Sequence, residues 1–353
     1  MIKVLVVDDS AFMRKMLTDL LEEDPRIQVI DKARNGKEAV DKVQSLHPDV
    51  ITLDVEMPVM NGLEALQQIM DKHPTPVIMV SSTTKEGAST TIRAMEYGAF
   101  DFITKPSGAI SLDIHKVKNN LVEKVLHASK VPVKKLSTRK ETVDRATAVT
   151  KETTLHIPAK KLSEKALVAI GTSTGGPKAL QKVLTKLPAD FPHPILIVQH
   201  MPKGFTKSLS ERLNNLSKIT VKEAEDGEII KKGVAYIAPG GYHLKVRRIG
   251  TSVAILLDHS DPVNGHRPSV DAMFHSIAGL PNQEVLAVIL TGMGSDGTNG
   301  LLKLKQKRRT LAVAESEETA VVYGMPKAAI QTNEVDVIAN IDSVAGVITR
   351  LCY

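Results

Sequence analysis

At 353 residues the chain is long for one ordinary domain and fits two, and 42% hydrophobic residues supply material for two cores. A single cysteine excludes a disulfide framework and a thiolate zinc site. The net charge of +6 divides into −4 over residues 1–127, +6 over 128–163 and +4 over 164–353; with no Trp and 3% aromatic residues, this reads as a solvated basic linker and excludes a base-stacking nucleic-acid face.

No apolar run approaches the roughly 20 residues of a membrane helix. Residues 2–7 follow Met1 as a strand-like run without the basic, apolar and small-residue regions of a secretory signal. A cytoplasmic protein with no membrane insertion is expected. In chain order, short apolar runs at 4–7, 50–53, 77–80 and 100–103, with another near 29–30, alternate with helix-period stretches at 11–21, 36–46, 62–70, 89–97 and 114–126. That alternation implies a doubly wound α/β domain over 1–127. Residues 128–163, rich in Lys, Thr and Val and broken by Pro132 and Pro158, read as a linker. A second alternating region, 164–353, has strand candidates at 166–170, 195–198, 234–237, 253–257, 285–290 and 311–314 and helices at 177–187 and 297–307. It predicts a second parallel-rich α/β domain, with an antiparallel hairpin near 234–257.

In the first region Asp8 and Asp9 follow the first strand, Asp54 ends the third, Ser81 ends the fourth and Lys105-Pro106 follows the fifth. Ligands gather at the carboxyl edge of a parallel sheet, so these side chains are expected together. Three carboxylates there make a hard-oxygen site suited to Mg²⁺. A metal, a hydroxyl and an ammonium around one carboxylate would stabilise an incoming phosphoryl group. On these residues the region resembles a response-regulator receiver domain. The resemblance implies Asp54 as phosphoacceptor, Asp8, Asp9, Asp54 and the backbone carbonyl of Glu56 as metal ligands, Ser81 and Lys105 as phosphoryl contacts, and Phe102 as an aromatic switch residue.

In the second region Gly171-Thr172-Ser173-Thr174-Gly175 follows a buried strand and fits the G-x-S-x-G nucleophile turn better than a nucleotide-phosphate loop, a plain strand-to-helix turn being the alternative. A serine needs a base, and the base needs an orienting group. His200 closes the next strand, and Asp296 lies in the Gly-rich loop Thr291-Gly-Met-Gly-Ser-Asp-Gly297, whose N–H groups are able to hold an oxyanion. His243, His259 and His266 are rival bases, and Asp258, Asp261 and Asp271 rival orienters, with Asp271 the best of them. No His pair shows the spacing of a metal hydrolase.

Gly171–Pro177, Gln199-His200-Met201-Pro202, Ala238-Pro-Gly-Gly241 with His243, Arg267-Pro-Ser-Val-Asp271, Leu290–Gly297 and Gly324-Met325-Pro326 together resemble the catalytic domain of chemotaxis protein-glutamate methylesterases. That resemblance implies Ser173 as nucleophile, His200 as base and Asp296 as orienter, with Thr174 and Met293 near the oxyanion. It implies two doubly wound parallel-sheet domains, a flavodoxin-like receiver and a Rossmann-like methylesterase domain, joined by the linker. The expected activity is phosphorylation-regulated hydrolysis of glutamate γ-methyl esters on chemotaxis receptors, with glutamine deamidation beside it and no cofactor for the hydrolysis. Expected partners are a histidine kinase as phosphodonor and the receptors as substrate. Alternatives are a transcriptional regulator, disfavoured because no basic recognition helix is present, and a non-catalytic phospho-dependent adaptor. Two local departures from the family pattern are Lys307-Arg308-Arg309, where a Gly-containing turn is expected, and Glu315, where Gln is usual.

Overall fold

A computed structural model describes residues 1–105, 114–136 and 161–353. The chain divides into two compact units, Met1–Glu141 and Thr142–Tyr353. Pro106 and most of the expected linker, residues 137–160 with Pro158 among them, lie outside the described residues.

The first unit alternates β1 (Ile2–Val7), α1 (Ala11–Glu22), β2 (Ile27–Ala33), α2 (Gly36–Leu46), β3 (Val50–Asp54), α3 (Gly62–Lys72), β4 (Val77–Ser81), α4 (Lys85–Glu96), β5 (Asp101–Thr104) and α5 (Ile114–Ala128). Its sheet is wholly parallel in the order β2-β1-β3-β4-β5. Every residue of β3 and β4 is buried, as in strands covered on both faces. Short polar side chains begin the helices. Ser10, Asn35 and Thr84 each accept a backbone N–H three residues on, and Asn61 with Glu64 forms a capping box. The chain stays folded on this unit past α5: Leu136 is buried, with its carbonyl close to Gly98.

The second unit holds β6 (Leu167–Thr172), α6 (Gly176–Leu184), β7 (Ile195–Gln199), α7 (Phe205–Leu216), β8 (Thr220–Glu223), β9 (Val234–Ile237), β10 (His243–Ile249), β11 (Ser252–Asp258), α8 (Val270–Ala278), β12 (Val285–Ile289), α9 (Thr298–Lys307), β13 (Thr310–Glu315), α10 (Met325–Ile330), β14 (Val337–Ala339) and α11 (Ile341–Cys352). Seven of these strands form a parallel sheet in the order β14-β13-β12-β6-β7-β9-β8. The antiparallel hairpin is β10–β11, covering 243–258, whereas 234–237 joins the main sheet beside β7. The expected hairpin was thus displaced: strand 243–249 carries three charged residues, and its apolar alternation is weak. The expected Gly turn at 307–309 is replaced by extended backbone at Arg308, with φ −137° and ψ 153°, which needs no glycine.

In both sheets the strand order reverses at the centre, between β1 and β3 in one and between β6 and β12 in the other. Loops leaving such neighbours part to opposite sides and open a crevice at the carboxyl edge. Close approach at the first crevice depends on Gly62, the opening residue of α3, where an added Cβ would lie 2.0 Å from the Asp54 carbonyl oxygen. Gly62→Ala is therefore expected to destabilise the first unit by about 1–3 kcal/mol through overpacking. Gly346→Ala, inside α11 with open space around it, is expected to stabilise the second by about 0.5–1 kcal/mol. Urea unfolding of the two variants of the full chain checks both signs.

Candidate functional sites

At the first crevice Asp8 and Asp54 are almost fully buried while Asp9 is exposed, and carboxylate oxygens of all three lie within 4.8 Å of one another. Lys105 reaches in with Nζ 3.1 Å from Asp8 Oδ2 and 2.8 Å from Asp54 Oδ2. Burial first, and then the neighbouring Asp8 charge, push the Asp54 carboxyl up to about 6, against the pull of Lys105. Lys105 itself is raised despite its burial, because two carboxylates face it. The Ser81 hydroxyl is buried 2.8 Å from Thr91 Oγ1, and the Glu56 N–H points at Asp54 Oδ1 from 3.4 Å. Phe102 is buried under Lys124, whose ammonium lies 5.5 Å from the ring centre. The structure thus brings Asp8, Asp9, Asp54 and Lys105 together and places Ser81 at the adjoining strand end.

At the second crevice Ser173 leaves β6 in a turn that only glycine completes. Gly175 caps α6 at φ +79°, and a Cβ there would sit 2.8 Å from Val321 Cβ. Both backbone groups of Ser173 are pinned. Its N–H donates to Thr291 O at 3.0 Å, and its carbonyl accepts from Gly176 N at 2.8 Å and Gln199 Nε2 at 3.0 Å. Thr291 belongs to the loop after β12, and its hydroxyl donates to Thr174 O at 2.9 Å while accepting the Val322 N–H at 3.0 Å. Gly292 packs so tightly that a Cβ would meet Ser173 Cβ at 2.8 Å and Met325 Sδ at 2.3 Å. Across this seam Thr174 Oγ1 donates to Met293 Sδ at 3.4 Å. Glu315 supports the seam from within, buried, accepting Thr291 N–H at 2.8 Å through Oε2 and the Thr319 hydroxyl at 3.0 Å through Oε1.

His200, just past β7, presents Nε2 to Asp296 Oδ2 at 2.8 Å. Its Nδ1 is buried without a hydrogen-bond partner, Ser173 included. The backbone places the two residues side by side, with the His200 N–H donating to Thr172 O at 3.1 Å on the neighbouring strand. Asp296 is the most heavily bonded side chain of the site. Besides His200 it accepts from Asn264 Nδ2, Ser269 Oγ and the backbone N–H groups of Val270, Asp271 and Gly297. Val270 and Asp271 open α8, so the carboxylate occupies a helix N-terminus. Burial alone would raise its pKa, but the His200 contact and the α8 N–H groups hold it well below the usual carboxylate range.

The rivals have other work. Asp271 accepts the Gly300 N–H of α9 at 2.6 Å and Asn264 Nδ2 at 2.8 Å, and burial raises its pKa. His243 is buried, with Nδ1 taking the Ser269 N–H at 3.2 Å and Nε2 3.0 Å from Asp261 O. His259 meets Tyr242 edge-on, and His266 stacks on His200 at 3.8 Å between ring centres. Asp258 pairs with Lys245. Sequence reasoning missed Asn264 and, although Gln199 and Ser269 stand in the quoted motifs, gave neither a role. Only Ser269 left a local sign, a serine immediately before an apolar helix, which is an N-cap pattern.

Residues 168–348 match a family model described as CheB methylesterase, and residues 4–115 match one described as response regulator receiver domain. A Geobacillus kaustophilus protein named protein-glutamate methylesterase/protein-glutamine glutaminase is 58% identical, with 99% of this chain and 98% of the relative covered. Relatives of the same name from Bacillus subtilis and Thermotoga maritima are 52% and 50% identical, covering 99% and 96% of this chain and 98% and 94% of theirs. The crystal structure of the Thermotoga maritima CheB methylesterase catalytic domain matches with TM-score 0.52 and 46% identity, over 54% of this chain and 100% of that one. The chain belongs to the CheB methylesterase family and carries a response-regulator receiver domain ahead of its methylesterase domain.

Proposed function

We propose that Ser173, His200 and Asp296 carry the hydrolysis, acting on glutamate γ-methyl esters of chemotaxis receptors, and that Asp54 is the phosphorylated residue controlling it. The chain is a protein-glutamate methylesterase and protein-glutamine glutaminase. The observation that carries the catalytic assignment is the His200–Asp296 pair at 2.8 Å beside the pinned serine turn. An ionised Asp296 on Nε2 keeps the ring proton there, which leaves Nδ1 with the lone pair. Ser173 Oγ attacks the ester carbonyl carbon while Nδ1 takes its proton. Collapse of the tetrahedral intermediate expels methanol, which receives that proton, and leaves an acyl-serine. Water, deprotonated by Nδ1, then cleaves the acyl-serine and returns the hydroxyl. A glutamine side chain passes through the same steps with ammonia leaving. Thr174 and Met293, linked across the seam, frame the oxyanion position.

In the receiver the donor set fits Mg²⁺. Asp8, Asp9 and Asp54 supply hard oxygens within one small volume, and Asp8 Oδ2 and Asp54 Oδ2 are buried beside the Lys105 ammonium without a hydrogen bond that meets the geometric criteria of one. The Glu56 carbonyl would be the further ligand. Bound there, the ion would neutralise charge on an arriving phosphoryl group. Lys105 and Ser81 orient that group, and Phe102 answers the new charge as the switch residue. A histidine kinase is the phosphodonor. The site of action in this reading is the cytoplasm, where a histidine kinase and the receptors' cytoplasmic parts meet; among the described residues no helix is long and apolar enough to cross a membrane.

Ser173→Ala is expected to fold normally and lose about 10⁴- to 10⁶-fold in rate. Methanol release from methylated receptor membranes, with circular dichroism as the folding check, tests this; near-wild-type turnover would remove the serine mechanism. Asp296→Asn is expected to lower kcat by about 10⁴-fold, because an amide donor at Nε2 forces the other tautomer. Asp271→Asn loses one hydrogen bond and should fall by less than about tenfold. The reverse ranking in steady-state kinetics would transfer the orienting role to Asp271.

The raised Asp54 pKa makes a stability statement as well. Folded receiver retains the Asp54 proton up to about pH 6, whereas the unfolded chain releases it near pH 4. Stability contributed by this group is therefore full below about pH 4 and lost as pH rises through about 6. In EDTA, Asp54→Asn is expected to abolish that decline and to exceed the wild type in Tm at pH 8, with Mg²⁺ narrowing the difference. Thermal unfolding with and without Mg²⁺ reads it, and a Mg²⁺-independent difference would empty the site of its metal role.

A further inference from the structure

The turn joining β11 to α8 contains groups that the hydrolytic steps do not use, yet it touches their core. Asn264 is exposed and sits at φ +54°, a region Asn tolerates better than most residues. Its amide nitrogen donates to Asp271 Oδ2 at 2.8 Å and to Asp296 Oδ1 at 3.0 Å. Two residues on, the His266 ring lies nearly parallel to His200, 3.8 Å between centres and 14° between planes. Val263 and His266 exchange both backbone hydrogen bonds, so one tight turn sets both side chains.

Asp271 and Asp296 are two buried carboxylates that feel each other's charge. Asn264 gives one hydrogen to each. An amide suits this position because it supplies two donors with no charge and no titration of its own. Aspartate would keep the shape but bring a third negative charge and remove both donors. The titratable groups facing Asp296 are His200 from the loop after β7 and Asp271 from α8. His266 is stacked behind His200, and His243 is one hydrogen bond away at Ser269.

We propose that Asn264 is a positioning residue for ester hydrolysis: by holding Asp296 Oδ1 it fixes the carboxylate so that Oδ2 meets His200 Nε2 and Nδ1 stays presented to the serine. The proposal rests on the Ser173–His200–Asp296 assignment. Asn264→Gly keeps a backbone that accepts positive φ and removes the amide, and Asn264→Asp keeps the shape while replacing donors by acceptors. Both are assayed as full-length protein by methanol release from methylated receptor membranes, beside Ser173→Ala and with circular dichroism. Asn264→Gly is expected to lower kcat about 10- to 100-fold with KM changed by less than about twofold, and Asn264→Asp to lower it at least as far. A folded Asn264→Gly or Asn264→Asp with wild-type kcat, or with a change in KM alone, would overturn the proposal. An active Ser173→Ala would instead overturn the triad, so the two failures are distinguishable.

Discussion

The second unit is organised around one buried anion. Asp296 is about 2% exposed, and an ionised carboxylate at that depth costs several kcal/mol unless hydrogen bonds replace its water. Here six donors do so, two of them N–H groups at the start of α8. The exchange is reciprocal. Asp296, just before α9, caps α8, and Asp271, in the first turn of α8, accepts the Gly300 N–H in the first turn of α9. The two helices must therefore cross closely at their N-termini, and Gly300 allows it, since a Cβ there would sit 2.5 Å from Phe274 Cβ. Helix packing and the orientation of His200 are consequences of the same carboxylate.

The serine depends on a second constraint, the seam between the loops after β6 and β12. Thr291 is its centre, taking the Ser173 N–H on its carbonyl, donating its hydroxyl to Thr174 O and passing its own N–H to Glu315. A Gln at position 315 would offer one acceptor oxygen, whereas Glu315 uses both of its oxygens, for Thr291 and Thr319. Where Gln was expected, Glu315 thus adds an acceptor beneath the Ser173 turn.

Much of both sites was legible because parallel strands are continuous apolar runs and functional side chains follow them directly. Asp8, Asp54, Ser81, Ser173 and His200 all stand at or just after such runs, so finding the strand located the residue. What stayed hidden was set by contacts distant in sequence. β10 alternates weakly, and β8 and β14 are edge strands of four and three residues. Asn264 sits in an exposed turn of the kind that usually signals only a change of direction; its role arises from Asp271 and Asp296, 7 and 32 residues away.

The two units apply one topological rule to opposite electrostatic ends. Each places an aspartate at the carboxyl edge beside a strand-order reversal. In the receiver, Asp54 is buried with Asp8 nearby and a single ammonium between them, so its carboxyl is pushed up to about 6 and negative charge is left undercompensated. Such a site gains from a cation and from chemistry at the carboxylate oxygen. In the methylesterase domain, Asp296 is saturated with donors and held ionised, so its oxygens have nothing left to offer except orientation of the ring beside them. On the proposed assignment, the number of hydrogen bonds each carboxylate accepts, more than its burial or its strand position, separates the one open to modification from the one that directs a neighbour.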